Sequence, residues 1–135
     1  YSIIQEDINM SLEQKITDAV NTYIGAFETG DLDAIMGIYA EDCSVEDPVG
    51  SPVKQGRAAV QEFYQGAMSM GVKLQLHSEI RIAGNEAAFA FTGEVDTGSG
   101  IMSFRTIDVM TFNDEGKVTS MRAFFGPSNS EMKSK

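Results

Sequence analysis

Apolar residues at Ile16, Val20, Tyr23, Ile24 and Phe27 recur every three or four positions, the spacing of one helix face. Ser11 and Gln14 just ahead resemble a capping box, in which hydroxyl and amide each satisfy a free helix-end donor. Gly30 is a stop signal. Asp31 is placed to cap a second, short helix through Ala34, Ile35, Ile38 and Tyr39. "CSVED" reads as a short strand ended by Pro48, and "PVGSPVKQG" as a loop by its Pro and Gly content. A third helix is predicted from about Arg57 to Met70, with Val60, Phe63, Tyr64 and Ala67 on one side.

From Val72 the period changes to two. Val72, Leu74 and Leu76 alternate with Lys73, Gln75 and His77, which predicts a strand. "AGNE" is a turn, "AAFAFTGEV" a strand, "TGSG" a turn, "IMSFRTIDVMTF" a long strand, "NDEG" a turn and "KVTSMRAFF" the last strand. Residues 1–10 and the polar tail 127–135 read as peripheral, the tail as frayed. The order predicts one α+β domain over residues 1–135. Three N-terminal helices pack on a strongly curved, mostly antiparallel sheet, a cone-shaped half-barrel with a conical cavity suited to a small apolar ligand.

Composition narrows the partners. With 135 residues the chain is large enough for one core, and its 42% hydrophobic content is ordinary for a soluble globular protein. A formal net charge of −10 argues against nucleic acid or an anionic membrane surface as the main partner. No run approaches the roughly 18 apolar residues of a membrane helix. "YSIIQEDINM" has no basic start, so it does not read as a signal peptide, and a cytoplasmic protein is expected. Cys43, the single cysteine, allows no internal disulfide and reads as a buried inert thiol. With one His and one Cys, no transition-metal site is expected. His77 reads as a surface residue, and Glu41–Asp42 as a solvated acidic pair.

Two carboxylates and three phenols stand out. Asp108 lies within an apolar strand, where an ionised carboxylate would lose its hydration. It either meets a partner or keeps its proton, and a buried hydrogen-bonded acid without a catalytic task is an equal reading. Asp47 precedes Pro48, which biases it towards an extended backbone and lets it aim into a cavity. An ordinary turn hydrogen bond would explain it as well. Tyr23, Tyr39 and Tyr64 each fall on the apolar side of a predicted helix, where their hydroxyls can satisfy one another in a chain or merely reach the surface.

Several separated stretches, in order, then resemble a known family. "YIGAFETGDLDAIMGIYAEDCSVEDPVGS", "GRAAVQEFY", "NEAAFAF", "TIDVMTF" and "GKVTSMRAFFG", from about Asn21 to Gly126, are similar to bacterial ketosteroid isomerases. The resemblance implies a nuclear-transport-factor-like cone fold, usually a homodimer, and no cofactor. It implies that Asp47 is a general base, Tyr23 an oxyanion-hole phenol and Asp108 an oxyanion-hole acid; that such an acid stays protonated is a property of the family, not of the residues read so far. Tyr64 and Tyr39 match phenols behind Tyr23. Phe125 and Val95 match pocket walls, with Met110 and Phe91 expected beside them. The expected reaction moves a steroid double bond from C5–C6 to C4–C5 through a dienolate. A non-catalytic carrier of apolar ligands, or a lyase or cyclase of the same fold, remains the alternative.

Overall fold

A computed structural model describes residues 10–134. The expectation for residues 1–9 lies outside this range. The first helix, α1, spans Leu12–Thr29 and buries Ile16, Ala19, Val20, Tyr23, Ala26 and Phe27 along one stripe. Its N-cap is Ser11, whose hydroxyl accepts from the Gln14 backbone N–H at 3.1 Å. Only half of the expected capping box forms, because the Gln14 amide turns along the helix and donates to Asp18 at 3.0 Å. Gly30 ends α1 at φ +70°, a left-handed conformation that glycine adopts without a Cβ penalty. Asp31 caps α2, Leu32–Ile38, by accepting from Ala34 N–H.

Tyr39 leaves the helix and opens strand β1, Tyr39–Glu46. The predicted placement on the second helix is thereby corrected. β-region backbone at Tyr39 ends α2, and its side chain is carried inward by the strand instead. The predicted loop contains a two-residue strand β2, Lys54–Gln55, paired with β1. Helix α3 follows at Arg57–Ser69. Strands β3 (Lys73–Leu76), β4 (Arg81–Ala83), β5 (Glu86–Asp96), β6 (Ile101–Phe112) and β7 (Val118–Phe124) complete the main sheet.

The strand order is β2-β1-β7-β6-β5-β3, with β4 also on β5. All pairings are antiparallel except β1 with β7, so the sheet is mixed. Three helices pack against this open, curled sheet, α1 against α2 and β3, and α3 against β1 and β2. The tail does not fray. Pro127–Asn129 form a 3₁₀ turn, and Ser130–Lys133 add a strand β8 to the end of β6, where backbone pairing compensates for its polar sequence.

The inward face of β6 alternates through Phe104, Thr106, Asp108, Met110 and Phe112. Opposite them on β5 stand Gly93, Phe91, Phe89 and Ala87. These two faces and the helices enclose the core. No helix of the described residues is long and apolar enough to cross a membrane. Cys43 is buried on β1, and burial pushes its thiol pKa up, as expected of an inert thiol.

Candidate active site

A cavity of about 580 Å³ opens between the helices and the sheet, within the usual range for small-molecule sites. Tyr23, Asp47 and Tyr64 line it, among apolar walls that include Phe27, Phe91 and Phe125. Tyr23 arrives on the buried stripe of α1, Tyr64 on α3, and Asp47 one residue beyond β1.

The three phenols form a buried relay. The Tyr39 and Tyr64 hydroxyls are 2.6 Å apart, and the Tyr64 hydroxyl donates to that of Tyr23 at 3.4 Å. The second link is long and weak. Burial, before any charge effect, pushes all three phenol pKa values well above the ordinary range. Tyr23 therefore carries its proton and can donate it in a hydrogen bond.

Asp108 is completely buried, and neither carboxyl oxygen has a hydrogen-bond partner of ordinary geometry. Burial chiefly, and then the charge of Asp47, push its pKa well above the carboxylate range. The nearby Tyr23 hydroxyl favours the charged form and only partly offsets this. Burial thus favours the neutral form of Asp108, whose O–H can donate a hydrogen bond. Asp47 is half-buried, and loss of solvent raises its pKa to about 6. Near neutral pH it is ionised and able to take a proton. Two carboxyls and a phenol close enough to feel one another's charge therefore differ in protonation. Such an arrangement can withdraw a proton at one point and stabilise negative charge at another.

The expected pocket walls divide. Phe125 and Phe91 line the cavity. Met110 does not, because it is fully buried in the core opposite Ala87, and the buried Asp108 and Tyr39 do not line it either. Val95 also stands outside it, near the far end of β5 and packed on the rim of the core. His77 is exposed and bonds Thr92. Among the described residues, no group of His, Cys, Asp and Glu side chains clusters in a way that suits a metal ion.

Phe104 and Thr106 also line the cavity and were not anticipated. Counting back by two along the strand from Asp108 would have found both. Phe104 stacks on Phe125 with ring centroids 5.2 Å apart. Its ring packs against Gly93, where a Cβ would stand 2.6 Å from Phe104 Cζ. Gly93→Ala is expected to drive the ring off the sheet and into the cavity. Overpacking of this kind raises KM for a large planar ligand by roughly tenfold while leaving kcat within about a factor of two. Steady-state kinetics checks this, and an unchanged KM would show that the ring has room to retreat.

Comparison with known proteins bears on the family and the fold. The sequence pattern of the SnoaL-like domain family matches residues 20–121. A protein of Nocardioides simplex named "Steroid Delta-isomerase" is 42% identical over 118 residues, covering 87% of this chain and 94% of that one. Among solved structures, an epoxide hydrolase/cyclase-like enzyme, SalBIII, with a role in pyran ring formation in the polyether salinomycin, superposes with a TM-score of 0.83. It is 31% identical, and the match covers 91% of this chain and 99% of that one.

Proposed function

We propose, for a chain that belongs to the SnoaL-like family and is a homologue of steroid Δ-isomerase, that it isomerises 3-oxo-Δ5-steroids. One observation carries this reading: a fully buried Asp108 with no hydrogen-bond partner of ordinary geometry, its pKa raised by burial, stands beside Tyr23 and within reach of the charge of an ionisable Asp47. A carrier of apolar ligands needs the cavity but neither the base nor the neutral acid.

The obstacle is a weakly acidic C–H next to a carbonyl. The Asp47 carboxylate removes the C4 proton, and the C–H electron pair moves into the ring to give a dienolate. Negative charge then collects on the C3 oxygen. Tyr23 and neutral Asp108 each donate a hydrogen bond to that oxygen, in a site where water does not compete. Asp47 returns the same proton at C6, which leaves the 4,5-enone and restores the enzyme. Atoms balance within one substrate molecule, and no cofactor takes part. Tyr64 and Tyr39 hold the Tyr23 hydroxyl in place. The apolar walls bind the rigid hydrocarbon, at about 25 cal/mol per Å² removed from water. A homodimer belongs to this reading. Ile107 and Phe124, cross-strand partners on β6 and β7, form an exposed apolar pair on the outer sheet face.

The test is conversion of 5-androstene-3,17-dione, followed by ultraviolet absorbance of the conjugated product. The purified protein is expected to turn over without added metal or nucleotide. Background-rate conversion would overturn the reading. The likeness to SalBIII favours a second reading, ring closure of an epoxy-alcohol substrate, and turnover of such a substrate in place of the ketone would establish it.

The pH dependence follows from Asp47. It must be ionised to act, so kcat/KM is expected to rise tenfold per pH unit below about 6 and to level off above it. Burial raises the Tyr23 and Asp108 pKa values, which favours the donor forms of both on the plateau. A flat profile between pH 4.5 and 7.5 would exclude Asp47 as the base.

A further inference from the structure

Among the described residues, two side chains hold buried polar atoms without a hydrogen-bond partner: Asp108 and Thr106. Asp108 has a task in the proposed reaction. Thr106 has none, yet it is only 3% exposed and lines the cavity. Its neighbours are mostly apolar, apart from Asp108 one strand repeat further along the same face. Phe91 is its partner across β5, and Phe104 is its neighbour along the same inward face. Valine would have the same shape without an unsatisfied hydroxyl. A threonine here is therefore destabilising unless something entering the cavity completes its hydrogen bond.

We propose that Thr106 is a specificity-determining residue that hydrogen-bonds a second, uncharged oxygen on the ligand. The inference rests on the site reading above, in which Asp108 and Tyr23 hold the ligand's ketone. Thr106 lies one two-residue strand repeat from Asp108, about 7 Å along β6. The second oxygen therefore sits about 7 Å from the ketone oxygen, near the middle of the ring system rather than at its far end. On a steroid this is the region of ring C, as in an 11-hydroxyl or 11-oxo substituent. A hydroxyl both donates and accepts, so Thr106 suits either. Its partners Phe91 and Phe104 supply no counter-charge for an ionic group at this point of the wall.

The experiment compares two non-reacting products, 4-androstene-3,17-dione and its 11-hydroxy derivatives of both configurations. Binding to wild type, Thr106→Val and Thr106→Ser is measured by calorimetry. Wild type is expected to favour one 11-hydroxy epimer by about tenfold over the parent. Thr106→Val should abolish the preference, and Thr106→Ser should keep most of it. The readout is a ratio between ligands, so a general loosening of the pocket does not imitate it. A wild-type preference that survives in Thr106→Val overturns the inference, as does the lack of any preference in wild type. The ultraviolet assay on wild type separates the two levels. Turnover without an 11-oxygen preference removes only the role of Thr106. A Thr106-dependent preference without turnover upholds that role and removes the isomerase. Failure to bind any of these steroids removes both.

Discussion

Asp47→Asn lowers the isomerisation rate by about 10⁴-fold, the upper range for a general base, while a planar phenol still binds. The amide keeps the shape of the carboxyl but cannot accept the C4 proton. The same change stabilises the protein at neutral pH. The folded-state pKa of Asp47, about 6, lies above its ordinary value of 3.8. The folded state therefore holds the proton more tightly than the unfolded chain does. Stability is lost as pH rises from about 4 to about 6, and the cost at pH 8 is at most about 3 kcal/mol. Asparagine has no charge to desolvate and escapes this cost. A dead but more heat-resistant variant at pH 8, equal to wild type near pH 3.5, is the joint expectation. Thermal melts at the two pH values, beside the ultraviolet assay, check it. The same background rate in wild type and Asp47→Asn would return the protein to the ligand carriers, and a fully active Asp47→Asn variant would exclude Asp47 as the base.

Asp108→Leu costs about 10²–10³ in kcat, the usual effect of losing one oxyanion-hole donor. Asp108→Asn costs much less, because its amide N–H₂ still donates. The pair separates donation from bulk polarity, and equal activity in both would remove the neutral-acid argument. Stability moves the other way. Asp108 is fully buried with both oxygens unpartnered, so an apolar replacement relieves an unsatisfied group. Asp108→Leu is expected to melt no lower than wild type, which keeps its loss of activity from being read as unfolding.

The helices were readable because their cause is local. Ser11, Gly30 and Asp31 act on backbone groups within one turn, and an apolar stripe of period 3.6 announces the buried face. The long strands β5 and β6 were readable for the same reason, through alternation and turn residues. Tyr39 was misplaced because one apolar residue fits the end of a helix and the start of a strand equally well, and pairing with β7 decides between them. Polar Ser130–Lys133 carries no strand signal of its own, and the exposed end of β6 supplies one.

Sequence alone determined which side chains can do chemistry: one carboxyl in an apolar strand, one before a proline, and phenols on buried stripes. Their family resemblance supplied the roles. Only the tertiary structure decided that Asp108 has no partner, that Met110 stands behind the wall and Phe104 in it, and that Thr106 faces the same cavity unsatisfied. The reason is physical. Donor capacity and periodicity belong to a residue and its neighbours, whereas desolvation depends on everything that excludes water from the site. Here that environment is built by α1, α3 and the curl of the sheet, which meet only in the folded chain.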